Sequence, residues 1–134
     1  MREQNIQSHI MDELCKQTDG VVFRCNAGEA WGGKYVVTDE YGPVIMNPKR
    51  IKLLPEGFSD LLYVGKGEVA FIECKTLKGK AREAQERFLA LMQRLGHKAG
   101  IARSPEDALK IIKGNQPCPQ NIEEILKRRR ENNV

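Results

Sequence analysis

Two apolar runs joined by glycines constrain the fold more than any other part of the chain. Residues 61–64 and 69–72 are rich in β-forming side chains, and a Gly-Lys-Gly turn at 65–67 separates them. A short glycine turn between such runs predicts a β-hairpin. If Gly65 pairs with Glu68, the register of the two strands is fixed along their whole length.

This register brings three charged side chains to one face of the predicted hairpin. Asp60 falls opposite Glu73, and Lys75 shares their face because side chains alternate along a strand. Opposed residues lie roughly 4.5–5.5 Å apart at Cβ, and like charges there are destabilising unless something compensates. Mg²⁺ can compensate, since it prefers carboxylate oxygens and commonly adds water and a phosphate oxygen. The pattern predicts a metal-dependent phosphate-ester site; the alternative, a solvated hairpin face, fits poorly with the apolar run before Glu73.

The same residues resemble the PD-(D/E)XK nucleases and, among them, the small stand-alone virus-type replication-repair nuclease (VRR-NUC) domains of phage. Gly57-Phe58-Ser59-Asp60 is similar to the family's Gly-x-Pro-Asp turn, and Glu73-Cys74-Lys75 is similar to its Glu-x-Lys motif. Gln85 falls where the family's following helix carries a glutamine, whereas Ser59 departs from the usual proline. The resemblance implies an α/β fold with a restriction-endonuclease-like core, in which helices flank a mixed β-sheet.

The resemblance also implies an activity, the hydrolysis of DNA phosphodiester bonds with Mg²⁺ or Mn²⁺. The implied metal ligands are Asp60, Glu73 and the backbone carbonyl of Cys74. Lys75 is implied to position the attacking water or to stabilise charge on the phosphorus. Gln85 is implied to orient the site or the DNA.

An early glutamate is implied as a further metal ligand. In the first predicted helix, residues 2–17, Glu3 falls on the same stripe as Ile10 and Leu14 at about 100° per residue. Glu13 lies nearer the edge of this stripe and is the second choice. The alternative for Glu3 is an exposed first-turn residue that the helix dipole favours.

Three groups of polar residues near the predicted site are expected to contact DNA. They lie on the first strand, in a loop that precedes Asp60, and in the segment that follows Lys75. The residues are Arg24 and Asn26, then Lys49, Arg50 and Lys52, then Lys78, Lys80 and Arg82. For the loop, a solvated charge cluster is an equal alternative. Trp31, in a glycine-rich loop, is expected to pack in the protein rather than to stack on a base.

In chain order the pattern predicts α-β-(hairpin)-β-β-α-β-α, with the first strand at 21–26, next to the catalytic hairpin. The inserted hairpin lies at about 34–46. The helix after Lys75 ends at Gly96, and a strand at 98–102 completes a crossover. Its predicted core stripe, which Gln85 flanks, is Ala84, Phe88, Leu91 and Leu95. Ser104 is expected to cap the next helix.

Length and composition limit the remaining possibilities. At 134 residues a single domain over 1–134 is expected, and a net charge of +4 permits nucleic-acid binding without establishing it. The four cysteines form no C-x-x-C pair, which predicts neither zinc nor a disulfide framework and favours a reducing cell interior. The resemblance implies the cytoplasm of a bacterial or phage-infected cell. No apolar run approaches the roughly 18 residues of a membrane span, and a signal peptide is not expected.

A homodimer that cuts branched DNA, such as Holliday junctions, is the expected assembly. Stand-alone phage members of the resembled family look like dimeric junction-cutting enzymes, and a symmetric junction requires two sites related by a two-fold axis. The expected contact surfaces are the inserted hairpin and a basic C-terminal helix at about 120–131. The alternative function is a non-catalytic DNA-binding module of a replication or repair complex, although phosphate binding alone would favour cations over paired acids.

Overall fold

The helices and strands follow the predicted order. The structure, a computed structural model, describes residues 2–114 and Lys127. The elements are α1 (Glu3–Gln17), β1 (Val21–Arg24), β2 (Glu29–Thr38), β3 (Gly42–Lys52), β4 (Leu61–Gly65), β5 (Glu68–Cys74), α2 (Glu83–Arg94), β6 (Lys98–Ala102) and α3 (Pro105–Ile112). Apart from Lys127, the predicted C-terminal helix at 120–131 lies outside the described residues.

A four-stranded mixed sheet of order β1-β4-β5-β6 organises the chain. β4 and β5 form the predicted antiparallel hairpin, with Gly65 opposite Glu68 and Leu61 opposite Ile72. β1 pairs antiparallel with β4, and β6 pairs parallel with β5. A parallel neighbour requires a crossover connection, which α2 supplies. The predicted register and strand order of this part are confirmed.

α1 and α3 cover one face of the sheet and build the main core with it. The predicted stripe of α1 is confirmed, since Ile6, Ile10 and Leu14 are buried. They join alternate residues of β5, represented by Ile72, in one apolar cluster. Ser104 caps α3 by accepting a hydrogen bond from the backbone N–H of Asp107, as predicted.

α2 packs on the opposite face, where Phe88 contacts the rings of Phe58 and Phe71 at centroid distances of 4.5 and 5.4 Å. The predicted core stripe of α2 is confirmed only in part, since Ala84, Phe88 and Leu91 are half-buried and other residues are buried more deeply. The buried residues are Gln85, Leu89 and Ala90, whereas Leu95 is 61% exposed. The periodicity of apolar residues does not predict the burial of a glutamine. Gln85 can be buried because it has a polar partner in the sheet. Gln85 therefore lies at the centre of the buried face rather than beside it.

β2 and β3 form a separate two-stranded sheet, the β2–β3 ribbon, which is longer than the predicted hairpin at 34–46. Two predicted loops are therefore wrong, because residues 29–33 and 47–52 are strand. The pairing register shifts between Gly32 and Lys34, and Asn47 adopts a positive φ of 51°. Such a bulge accommodates glycine and proline without ending the ladder, so residues that normally signal a loop lie inside a strand.

The ribbon leaves Trp31 outside the core. Its side chain is 58% exposed, and the guanidinium of Arg50 lies over the ring at 5.3 Å from the centroid. The expectation that Trp31 packs inside the protein is wrong, because its strand belongs to a sheet with no core of its own. Among residues 2–114 and Lys127, no helix is both long and apolar enough to cross a membrane.

The turn before β4 packs directly against the beginning of α2. Gly57 is buried with a φ of +89°, and a Cβ atom there would lie 2.5 Å from the carbonyl oxygen of Ala84. Both the left-handed backbone and the space therefore require glycine. This contact fixes the distance between α2 and the segment that leads to Asp60.

Gly57→Ala is expected to destabilise the protein more than Gly28→Ala. Gly28 has a similar φ of +91° but nothing within 4 Å of an added Cβ. Its substitution should cost only the left-handed strain, about 1–2 kcal/mol. Gly57→Ala adds a backbone clash and should lower the free energy of unfolding by about 3 kcal/mol or more. Urea unfolding measures both losses; equal losses would show that α2 moves away without cost.

Candidate metal centre

Three carboxylates from separate parts of the chain meet at one end of the central hairpin. Glu3 begins α1, Asp60 precedes β4, and Glu73 lies near the end of β5, and each offers an oxygen within 4.8 Å of the others. Glu13, the second choice on α1, instead interacts with Lys16 and Gln17. Ten residues separate Glu13 from Glu3, which is about 15 Å along a helix. The geometry therefore favours Glu3 over Glu13 as the member of this group.

Asp60 is held by the backbone on both of its sides. Its side-chain oxygen Oδ2 accepts a hydrogen bond from the backbone N–H of Cys74 at 3.0 Å, and its backbone carbonyl accepts one from Cys25 at 2.8 Å. Ser59, which stands where the resemblance would lead one to expect proline, is fully buried and donates its hydroxyl to the carbonyl of Leu61 at 3.0 Å. A buried hydroxyl with a partner costs little, so the turn keeps its shape without proline.

Gln85 connects α2 to the buried carboxylate. Its Oε1 accepts a hydrogen bond from the backbone N–H of Arg82 at 2.9 Å, and its Nε2 donates to Oε1 of Glu73 at 2.8 Å. Because a backbone N–H can only donate, the first bond fixes the orientation of the amide and leaves Nε2 to face the carboxylate. Gln85 therefore sets the rotation of the Glu73 carboxyl group.

Lys75 lies between two of the acids. Its Nζ is 3.7 Å from Oε1 of Glu3 and 3.8 Å from Oε1 of Glu73, and the side chain is only 9% exposed. Its backbone N–H donates to the carbonyl of Ala102, which extends the β5–β6 pairing and directs the side chain to the side of Glu73. Three carboxylates face one ammonium, so an excess of negative charge remains in the cluster when all are ionised.

Glu73 is the least satisfied member of the cluster. It is fully buried, and its Oε2 has no hydrogen-bond partner. Burial, followed by the charge of nearby Asp60, raises the pKa of Glu73 to about 8, while Lys75 opposes the shift. Oε2 thus requires either a proton or a cation in the same place.

Cys74 offers no thiolate to this site. Its side chain belongs to the core cluster on the opposite face of β5, and burial, followed by the charges of Asp60 and Glu73, raises the pKa of the thiol. A neutral, buried thiol acts as a small apolar side chain. The predicted role of the Cys74 backbone carbonyl as a metal ligand stays a prediction.

A cleft of about 730 Å³ opens onto Asp60 and Gln85. Three of the predicted DNA-contacting residues, Arg24, Asn26 and Arg82, line it. Asn26 follows the end of β1 rather than lying on the strand, contrary to the prediction. Arg24 is oriented by a hydrogen bond from its guanidinium to Oγ of Ser8 at 3.2 Å. The cleft therefore combines cations and amide groups beside Asp60, the one member of the carboxylate cluster among its lining residues.

Sequence reasoning missed two residues of this cleft, Gln4 and Gln7 of α1. A signal was present, because residues three apart lie on one side of a helix and both flank the position of Glu3. Their amides can donate to phosphate or base oxygens.

The other predicted DNA-contacting cations lie away from the described cleft. Lys49, Arg50 and Lys52 are exposed on β3 rather than in a loop, and Arg50 forms an ion pair with Glu29 at 3.4 Å. Lys78 and Lys80 are exposed in the segment between β5 and α2. The cations therefore form separate groups on the ribbon, in the cleft and after Lys75. The ribbon group was misplaced because its strand was predicted as a loop.

Comparison with known proteins adds no assignment to this geometry. None of the protein-family models matches the chain, and none of the curated proteins matches it either. The resemblance to PD-(D/E)XK nucleases thus depends on the residues of the site and their arrangement.

The raised pKa of Glu73 predicts how the stability of the metal-free protein depends on pH. The folded state retains a proton on Glu73 up to a pKa of about 8, while the unfolded chain releases it near the ordinary value of 4.5. The unfolded state therefore gains from ionisation as pH rises through this window, and the free energy of unfolding should fall, by about 1–3 kcal/mol between pH 5 and 8.

Glu73→Gln should remove this contribution, because an amide does not titrate in this range. Urea unfolding of both proteins in EDTA between about pH 5 and 8 measures the difference in slope. Glu106→Gln, an exposed residue in the first turn of α3, serves as the matched control and should keep the wild-type slope. Parallel curves for the wild type and Glu73→Gln would contradict the raised pKa.

Proposed function

We propose that the protein is a metal-dependent deoxyribonuclease of the PD-(D/E)XK type, related to the VRR-NUC domains, with a restriction-endonuclease-like core. The observation that carries the proposal is the buried Glu73 carboxylate, whose Oε2 has no hydrogen-bond partner and which clusters with Glu3 and Asp60 beside an almost fully buried Lys75. A structural protein gains nothing from this arrangement, since burying like charges together is costly. A site for a hard divalent cation accounts for it directly.

The residues present fit such a cation. Glu3, Asp60 and Glu73 would hold one or two Mg²⁺ or Mn²⁺ ions, with the carbonyl of Cys74 as a further ligand. When bound, the ions would polarise the scissile phosphate and lower the pKa of a bound water. Glu73 would lose its proton on binding, so the metal affinity rises with pH until Glu73 is ionised.

Lys75 and Gln85 prepare the site for charge that develops during hydrolysis. The ammonium of Lys75 stabilises negative charge on the phosphorus or positions the attacking water, and its low exposure strengthens this interaction. Gln85 holds Oε1 of Glu73 and so leaves Oε2 directed at the cation. Arg24, Asn26 and Arg82 contact phosphates of the strand in the cleft and position it without reading its sequence.

We further infer a homodimer that cuts branched DNA such as Holliday junctions. Within residues 2–114, no other helix or strand makes more than a marginal contact with the β2–β3 ribbon. A two-stranded sheet is marginally stable alone, and this one exposes Tyr35, Val37 and Ile45. A second copy related by a two-fold axis would cover this surface and supply the second site that a symmetric junction requires.

Asp60→Asn, Glu73→Gln and Lys75→Met should each lower the rate of DNA cleavage by about 100-fold or more, because each removes a charge that acts on the reaction. The assay uses end-labelled four-way junction, flap, nicked and plain duplex DNA with Mg²⁺ or Mn²⁺. Glu13→Gln, on the same helix as Glu3 but outside the cluster, should cleave like the wild type.

The same assay separates the two functions considered for this chain. Undiminished cleavage by Glu73→Gln would overturn the site assignment. Wild-type protein that binds these DNAs but cuts none of them with either metal would instead support a non-catalytic DNA-binding module.

The double substitution Tyr35→Ser and Val37→Ser should dissociate the dimer, since both side chains lie on the exposed face of β2. Light scattering at micromolar concentration should give twice the chain mass of 15.2 kDa for the wild type and a single chain mass for the variant. The control is Leu95→Ser, at an exposed residue that directly follows α2 and lies outside the ribbon. A wild-type mass near that of one chain would exclude the dimer.

A further inference from the structure

The segment between β5 and α2 presents an exposed leucine beside the candidate metal centre. Leu77 is 85% exposed, more than any other large apolar side chain among the described residues. Single surface leucines are common and require no explanation by themselves. Leu77, however, follows Lys75 by two residues, so the two Cα atoms are at most about 7 Å apart. An apolar group therefore projects into solvent close to the position proposed for the scissile phosphate.

Arg103, at the end of β6, holds this segment in one conformation. Its Nη1 donates to the backbone carbonyls of Thr76 and of Gly79, the latter at 2.6 Å, and lies 3.5 Å from the carbonyl of Leu77. Nη1 carries two protons, so the carbonyls on either side of Leu77 take the two main bonds. Sequence reasoning did not identify Arg103, because nothing in its local pattern shows which backbone it will reach.

A turn within the segment further stabilises this conformation. The backbone N–H of Gly79 lies within hydrogen-bond distance of both the carbonyl oxygen and Oγ1 of Thr76, at 3.1 and 3.0 Å. Such a threonine turn closes the backbone around Leu77. The exposure of the leucine is thus a consequence of a fixed turn rather than of a loose loop.

The charges around Leu77 match a nucleic-acid surface. Lys78 and Lys80 follow it in the same segment and are both exposed. Cations next to an apolar tip can contact the phosphates of the two nucleotides between which the tip enters. Proteins that distort DNA insert leucine, isoleucine, methionine or phenylalanine between base steps in this way and partly unstack them.

We propose that Leu77 is a wedge that enters the base stack next to the scissile phosphodiester. The inference rests on the proposed nuclease function and specifies its substrate class, DNA in which a base step is already weakened. Unstacking costs least at a mismatch, a bulge, a branch or a flexible pyrimidine–purine step. Leu77 is a specificity-determining residue, whereas Arg103 is a positioning residue that acts through it.

The test measures base unstacking directly. The cleavage position is first mapped on end-labelled DNA, and 2-aminopurine is then placed at the adjacent step. Binding in Ca²⁺ in place of Mg²⁺ should raise the 2-aminopurine fluorescence several-fold with the wild type. Leu77→Ser should abolish the rise, and Leu77→Met, which remains a long apolar wedge, should retain it. Arg103→Gln should reduce the rise, because it releases the segment.

Cleavage rates give a second readout. Leu77→Ser should lower the rate on fully paired duplex about tenfold more than on the same duplex with a mismatch at the cut. The reason is that a mismatched base step costs less to unstack and depends less on the leucine. Leu95→Ser is the matched control, since it removes another exposed leucine, which follows α2 whereas Leu77 precedes it. Both serine variants should keep the wild-type melting temperature, as neither leucine is buried.

Failure of the wedge and failure of the proposed function give different results. Cleavage by the wild type, together with unchanged fluorescence and an unchanged ratio of rates for Leu77→Ser, would overturn the wedge and leave the nuclease in place. A reduced molecular mass of Leu77→Ser would assign Leu77 to a subunit contact and would also overturn the wedge. Absence of cleavage on every substrate and metal would overturn both.

Discussion

The buried carboxylate of Glu73 is the constraint on which the arrangement of the site depends. A carboxyl group in a protein interior costs stability unless its oxygens are satisfied. One oxygen accepts a hydrogen bond from Gln85 of α2, the other has no partner, and the carboxyl group clusters with Asp60 of the turn before β4. This turn also packs closely against α2 at Gly57. The polar group with the highest cost thus lies where the sheet, α2 and the turn meet.

Alternation along β5 separates the parts of the molecule that provide stability from those that provide chemistry. Ala70, Ile72 and Cys74 face α1 and α3 and belong to the apolar cluster. Phe71, Glu73 and Lys75 alternate with them: Phe71 and Glu73 contact α2, and Lys75 lies beside Glu73 and Glu3. Because the two sets share one backbone, the well-packed face holds the charged face rigidly in place. The charges can therefore oppose folding locally without unfolding the domain.

The sequence allowed prediction of those features that depend on local rules. The β4–β5 register follows from a short glycine turn, the burial of Ile6, Ile10 and Leu14 from helical periodicity, and the start of α3 from a serine cap. The convergence of Asp60 and Glu73 follows from the register. Features that depend on a distant partner were missed. The burial of Gln85 requires Glu73, and the fixed conformation of residues 76–79 requires hydrogen bonds from Arg103. The extent of the ribbon was missed because a bulge accommodates residues that normally end strands.

Residues at the base of the β2–β3 ribbon also line the cleft, and this links the proposed dimer contact to the candidate site. At the base of the ribbon, Gly28 donates to the carbonyl of Leu54 at 2.9 Å, and Leu53 donates to the carbonyl of Gly28 at 3.0 Å. Gly28, Ala30 and Leu53 also line the cleft that opens onto Asp60. A partner that covers the far end of the ribbon would thus fix the position of its base, and with it the width of the cleft. In the proposed dimer, binding of the partner would in this way change the affinity of the site for a DNA strand, since the dimer contact and the cleft would share the ribbon.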